Sequence, residues 1–211
     1  QAIDFFHTNS KYLIEKTDHD LLLSFYGGEP LLNFDLIKNC LEYIGQEYRA
    51  QMPRFKFSLT TNAGLINTYI LETFIKYNFS LYISLDGPSI LHNRYRLNKN
   101  GKPTYDNVIE MIELIKSVDK NYFTNNVGFV AVIAPEYDHA SIFDFFRNNY
   151  ITNVSPIFTR VSSSDTTFFS FFDMSIEDEK RFCQINTLKA EYLEKIVNNK
   201  EDRALRAYFE T

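Results

Sequence analysis

The chain has 211 residues, room for one sizeable domain, and its 45% hydrophobic and 16% aromatic content with only 23% charged residues excludes a disordered chain. A net charge of −5 with scattered Lys and Arg argues against a dedicated nucleic-acid binder. No apolar run approaches the roughly 18 residues of a membrane span, and the opening Gln1-Ala2-Ile3-Asp4-Phe5-Phe6 lacks the basic start and apolar stretch of a signal peptide.

That opening reads as mid-helix, with Ile3, Phe6 and Leu13 on one face, which points to a fragment or processed chain. A first strand is predicted over Leu21–Tyr26, ended by Gly27-Gly28. A helix follows from about Asn33, with Phe34, Ile37, Leu41, Ile44 and Tyr48 on one stripe. Phe55–Thr61 alternates apolar Phe55, Phe57 and Leu59 with polar Lys56, Ser58 and Thr60, the period of a strand. Asn67 is placed to cap a helix carrying Leu71, Phe74 and Ile75. A third strand, Leu81–Leu85, ends at Asp86-Gly87-Pro88.

After a polar connection through Asn98–Gly101, Thr104 is read as the cap of a helix with Val108, Ile112 and Ile115 inward. Val127–Ile133 is a fourth strand, stopped by Pro135, and a helix near Asp138–Asn148 carries Ile142, Phe145 and Phe146. Val154–Thr159 reads as a fifth strand and Ser162–Thr167 as a loop. Ser175 with Asp178 has the spacing of a capping box for a last helix, striped by Phe182, Ile185, Leu188, Tyr192 and Ile196.

Strands recurring every ~25–45 residues with helices between them give an α/β chain of βα units on a parallel sheet, open or rolled into a barrel. In such folds the functional site lies at the C-terminal ends of the strands. Ile133 and Pro135, after the fourth strand, are apolar and suited to packing against a flat base, and three polar sets fall at the other strand ends. Gly27-Gly28-Glu29-Pro30 offers backbone that a ligand can approach closely and a carboxylate able to accept from an ammonium group, or simply a tight turn with a solvated Glu. Thr60-Thr61-Asn62-Ala63-Gly64 offers hydroxyl and amide groups, or an Asx turn. Ser84 and Asp86 share a face by alternation, with His92, Arg94 and Arg96 following, a set suited to a ribose or a carboxylate; for the arginines ordinary surface charge is the alternative. The two cysteines, Cys40 and Cys183, lack partners at metal-ligand spacing and read as buried thiols of a reducing cytoplasm, with a disulfide or a reactive thiol as the alternatives.

Phe25-Tyr26-Gly27-Gly28-Glu29-Pro30, Thr60-Thr61-Asn62-Ala63-Gly64, Ile83-Ser84-Leu85-Asp86-Gly87-Pro88 with His92 and Arg96, and Gly101-Lys102-Pro103-Thr104-Tyr105-Asp106 occur in the order and spacing of radical S-adenosylmethionine (SAM) enzymes. Over roughly residues 1–160 the chain resembles those with a C-terminal SPASM domain: peptide maturases and anaerobic sulfatase-maturating enzymes. The resemblance implies a partial (β/α)₆ barrel at residues 1–160, here without its N-terminal strand. Residues 161–211 would then be a loop and helix leading toward a C-terminal domain. It implies SAM chelated by a 4Fe–4S cluster, cleavage to a 5′-deoxyadenosyl radical, a ribosomal peptide or protein substrate, and a reductant protein in the intact parent.

Carried over by motif, Glu29 with the Gly27 and Gly28 backbone would bind the methionine ammonium, Ser84 the ribose and Arg96 the carboxylate. Backbone near Val132 would touch the adenine, Asn62 and Asp86 would line the pocket, and Tyr26 would face the substrate. The family's Cys-x-x-x-Cys-x-x-Cys loop is not in this sequence, so the 211 residues alone are expected to be inactive. Tyr26 stands where a sulfatase maturase is expected to carry glutamine, which favours a peptide maturase. A non-catalytic scaffold binding a peptide or a SAM-like ligand is the alternative. A sugar- or phosphate-handling barrel is disfavoured because Thr159–Phe172 contains no glycine.

Overall fold

A computed structural model describes residues 1–10, 16, 19–149, 152–161 and 174–209. Leu13 and the Ser162–Thr167 segment lie outside the described residues. The chain divides into two compact units, Gln1–Tyr82 and Ile83–Thr211. Its strands follow the order β1-β2-β3-β4-β5 in one sheet, so sequence neighbours are sheet neighbours and helices fill the connections. This is the βα repeat the periodicity predicts.

In the first unit, α1 (Ala2–Asn9) leaves Ile3 and Phe6 half-buried. Strand β1 (Leu21–Phe25) pairs in parallel with β2 (Phe55–Thr61), in register from Leu21↔Phe55 to Phe25↔Leu59. In β2 the alternation holds: Phe55, Phe57, Leu59 and Thr61 are buried, while Lys56 is exposed. Helix α2 (Phe34–Glu47) turns Ile37, Leu41 and Ile44 inward, and the Asn33 carboxamide accepts from the Leu36 N–H at its start.

Helix α3 (Thr68–Lys76) begins as predicted, with Asn67 Oδ1 accepting from Ile70 N at 3.0 Å. Its end is a Schellman turn that the sequence reading missed. Asn78 sits at φ 51°, the Asn78 N–H donates to Ile75 O and the Phe79 N–H donates to Phe74 O. Asn tolerates this left-handed position better than most residues, which is why the turn needs no glycine. The turn delivers Phe79 onto Phe74 (ring centroids 4.9 Å apart) and onto Phe57 (5.3 Å), both fully buried. Local turn chemistry thus feeds directly into the aromatic core.

Strand β3 (Ser80–Ser84) straddles the boundary. In the second unit come α4 (Ser89–Tyr95), α5 (Tyr105–Val118), α6 (Lys120–Asn126), β4 (Val127–Ile133) and α7 (His139–Asn149). Strand β5 (Ile157–Arg160), α8 (Met174–Val197) and α9 (Arg203–Phe209) complete it. Strand β4 is mostly buried on both faces and pairs in parallel with β5 from Val130↔Ile157 to Ile133↔Arg160. Short α4, α6 and α9 were not predicted, having too few turns to establish a 3.6-residue period.

Two expectations change. Thr104 precedes α5 but makes no cap; its hydroxyl bonds elsewhere, as described below. The α8 stripe holds only in its middle. Leu188 and Tyr192 join Phe143, Ala204 and Leu205 in a small core, whereas Phe182 and Ile196 are exposed. The side chain of Ser175, the proposed cap of that helix, lies outside the described residues; Asp178 pairs with Arg181.

The aromatic core sets a clear expectation. We predict that Phe74→Ala lowers stability by about 3–5 kcal/mol, because a fully buried ring leaves a cavity. Leu22→Ala, at a site 59% exposed, should change it by less than about 0.5 kcal/mol. Urea titration followed by far-UV circular dichroism checks both, and equal effects would contradict the packing described.

Candidate functional site

Each unit carries a polar constellation at the C-terminal ends of its strands. In the first unit, the chain leaves β1 at Phe25 and passes through Tyr26, which is 83% exposed. Gly27 follows at φ +153°, a conformation L-residues rarely adopt. A Cβ built on Gly27 or Gly28 meets no heavy atom within 4 Å among the described residues, so this backbone is open to an approaching ligand.

Glu29 is half-buried and fixed by three donors. Its Oε1 accepts from the Thr61 hydroxyl at 2.7 Å and from the Leu31 N–H at 3.1 Å; its Oε2 accepts from the Asn62 N–H at 2.8 Å. The carboxylate therefore clamps the end of β1 to the end of β2. A carboxylate has about four acceptor sites, so capacity for a further donor remains. The Asn62 side chain faces its own loop, accepting from the Gly64 N–H, and Thr61 Oγ1 accepts from the Ala63 N–H. Asn62 thus contributes its backbone to Glu29, and Thr61, whose hydroxyl the sequence offered as one of a strand-end set, contributes that hydroxyl.

In the second unit, β3 ends at Ser84, half-buried and with no hydrogen bond to its hydroxyl among the described residues. Leu85 still donates to Val130 O, and the chain then breaks at Asp86-Gly87. Gly87, at φ +120°, lies close to Ile142, which a side chain there would crowd. Asp86 is 3% exposed. A buried carboxylate must be paired, and this one accepts from Arg96 Nε at 2.6 Å, from Arg96 Nη2 at 2.8 Å and from the Val132 N–H at 2.9 Å. Arg96 is bidentate on Asp86, and its Nη1 makes no hydrogen bond among the described residues.

Behind this pair the chain closes a ring. His92 Nδ1 accepts from the Asp86 N–H at 3.3 Å, and His92 Nε2 lies 3.1 Å from Thr104 Oγ1. Thr104 Oγ1 in turn donates to Arg96 O at 2.8 Å. A hairpin-like loop makes this possible: Leu97 and Pro103 form an antiparallel bridge, with Gly101 at φ +72° and the Asn98 side chain accepting from the Asn100 and Lys102 N–H groups. Burial pushes the His92 pKa down to about 4, the Asp86 charge opposing this and the Arg96 charge adding to it.

The predicted second-unit residues Asp86, Arg96 and Val132 are thus brought together, and in the first unit Gly27, Gly28, Glu29 and Asn62 are. The resemblance gave His92 no role, and Thr104 was read as a cap. Their link depends on a loop fold that has no period to read.

The cluster that the resemblance implies does not fit the residues described. Cys40 on α2 is half-buried, its thiol pKa raised by burial, and Cys183 on α8 is exposed. Both are free thiols in different units, so the expectation of two buried cysteines fails at Cys183. No group of three or more His, Cys, Asp or Glu side chains able to hold a metal ion occurs among the described residues. Nor is any described helix long and apolar enough to cross a membrane.

Residues 11–144 match the Radical SAM superfamily. The chain is 29% identical over 161 residues to a radical SAM cyclopropyl synthase of Paramaledivibacter caminithermalis, covering 74% of this chain and 31% of that protein. It is 29% identical over 157 residues to a serine-type anaerobic sulfatase-maturating enzyme of Bacteroides thetaiotaomicron, covering 72% and 36%. The chain therefore spans about a third of the length of these curated relatives. Among solved structures, native anSMEcpe with bound AdoMet superposes with a TM-score of 0.70 at 18% identity, over 94% of this chain and 53% of that one. A second, anSMEcpe with AdoMet and the Cp18Cys peptide, gives 0.59 at 20% identity, over 74% and 42%. These likenesses establish the fold as the partial barrel expected.

Two predictions follow from the geometry. His92 has a folded pKa of about 4 against about 6.5 unfolded, so the unfolded chain binds the extra proton first. Stability should be complete above about pH 7.5 and fall by about 3 kcal/mol as pH drops to 4. Urea midpoints across that range check it, and His92→Gln should flatten this part of the profile. Glu29→Gln keeps one acceptor oxygen and loses the other. Exchange of the Asn62 or Leu31 amide hydrogen should then quicken by about tenfold, the equivalent of one lost hydrogen bond; unchanged exchange at both would contradict the clamp.

Proposed function

We propose that this chain, which belongs to the radical SAM superfamily, is the SAM-binding part of a maturase that modifies a side chain of a ribosomal peptide or a protein. The observation that carries the reading is the Asp86–Arg96 pair: a guanidinium 26% exposed at a strand end, held bidentate on one edge and with N–H groups remaining for a ligand carboxylate.

The first unit offers, by itself, a feature of matching chemistry: Glu29 beside open Gly27 and Gly28 backbone presents a carboxylate suited to an ammonium group. Ser84, with its hydroxyl uncommitted among the described residues, suits a ribose. The Val132 N–H is taken by Asp86, which leaves its carbonyl and side chain for an adenine. SAM, once bound, supplies the adenosyl group on which the family's chemistry depends; these residues bind and orient it.

The substrate class rests on the relatives: a cyclopropyl synthase, sulfatase-maturating enzymes, and a neighbouring structure holding a peptide. Tyr26, exposed beside the glycines, is the substrate-side candidate. The intact parent would draw its electron from a reductant protein. The alternative reading is a scaffold that binds a peptide or SAM-like ligand without radical chemistry.

We predict that the chain binds SAM in isothermal titration and that Arg96→Met and Glu29→Gln each weaken binding by about tenfold or more. Absence of measurable binding, or affinity unchanged in both variants, would contradict the reading. Under strong reductant the 211 residues alone should form no 5′-deoxyadenosine; its SAM-dependent formation would contradict the expectation that they are inactive by themselves.

A further inference from the structure

The hydrogen-bond ring behind Asp86 has a single consistent arrangement of protons. The Thr104 hydroxyl hydrogen is committed to Arg96 O, so Thr104 Oγ1 can only accept from His92. His92 Nε2 must then carry its hydrogen, which leaves Nδ1 bare to accept from the Asp86 N–H. His92 is 0% exposed, so a ligand in solvent does not reach the ring directly. The brace holds the main chain of both members of the ion pair: Asp86 through its N–H and Arg96 through its C=O. Arg96 N also donates to His92 O at 3.0 Å.

This matters because Asp86 already neutralises Arg96. A ligand carboxylate therefore meets a compensated guanidinium, and its attraction depends on the direction of the remaining N–H groups rather than on net charge. A long Arg side chain loses rotamer entropy when it is fixed, and fixing it in advance spares the ligand that cost.

Resting on the SAM reading above, we infer that His92 and Thr104 are positioning residues. They form a brace that fixes the Arg96 guanidinium on Asp86 and so sets how tightly the chain holds the carboxylate end of SAM.

The test uses the full 211-residue chain with Thr104→Val, Thr104→Ser and His92→Leu, and two readouts. Calorimetry compares SAM with 5′-methylthioadenosine, which lacks the amino-acid carboxylate. NMR follows solvent exchange of the Arg96 Nε–H. Thr104→Val and His92→Leu should weaken SAM about tenfold while leaving 5′-methylthioadenosine within about twofold, and should speed Nε–H exchange. Thr104→Ser keeps the hydroxyl and should match wild type in both readouts. Equal weakening of both ligands would mean general structural damage and overturn the inference. So would an unchanged Arg96 Nε–H in Thr104→Val, whatever the calorimetry shows. If wild type binds neither compound while exchange quickens in Thr104→Val but not in Thr104→Ser, the brace stands and the SAM reading falls.

Discussion

A carboxylate buried at the end of a strand cannot remain alone, and the second unit is arranged around that requirement. Asp86, 3% exposed, is tied from three directions in sequence: its carboxylate accepts from Arg96 ten residues on and from the Val132 N–H in the next strand, and its own N–H donates to the ring of His92. Removing one partner of such a pair leaves an uncompensated charge, at a cost of several kcal/mol. The interaction lies just past the end of β3 and at the end of α4, next to the Leu97–Pro103 bridge.

The first unit solves a related problem with Glu29. Its carboxylate is less buried and accepts from two main-chain N–H groups and one hydroxyl, joining the exit of β1 to that of β2. Each unit thus places one acidic side chain at its strand ends and ties neighbouring segments to it. In both cases the groups that hold the structure together are also the ones a zwitterionic ligand would need. Structure and binding therefore draw on the same two side chains, through different lone pairs and N–H groups.

Much of the architecture was legible because periodicity reports burial. The β2 alternation, the α2 and α5 stripes and the Asn67 cap all appear as read. What escaped were elements below the length at which a period shows, such as α4 and α6, and features set by single residues, such as the Schellman turn at Asn78. The Ser175 cap lies outside the described residues. Motif resemblance named residues that the structure places at the strand ends, but it did not give their hydrogen-bond wiring. Nothing in the sequence says that Asn62 serves Glu29 through its backbone, or that Thr104 serves Arg96 rather than a helix. Those facts follow from loop geometry, where hydrogen-bond partners are chosen by tertiary position.

The central claim is that Arg96, held by Asp86, reads the carboxylate of SAM. The most direct measurement compares the affinity of the chain for SAM with that for decarboxylated SAM, in wild type and in Arg96→Met. The account predicts that wild type prefers SAM by about tenfold and that the preference disappears in the variant. Equal affinity of wild type for the two compounds would contradict it.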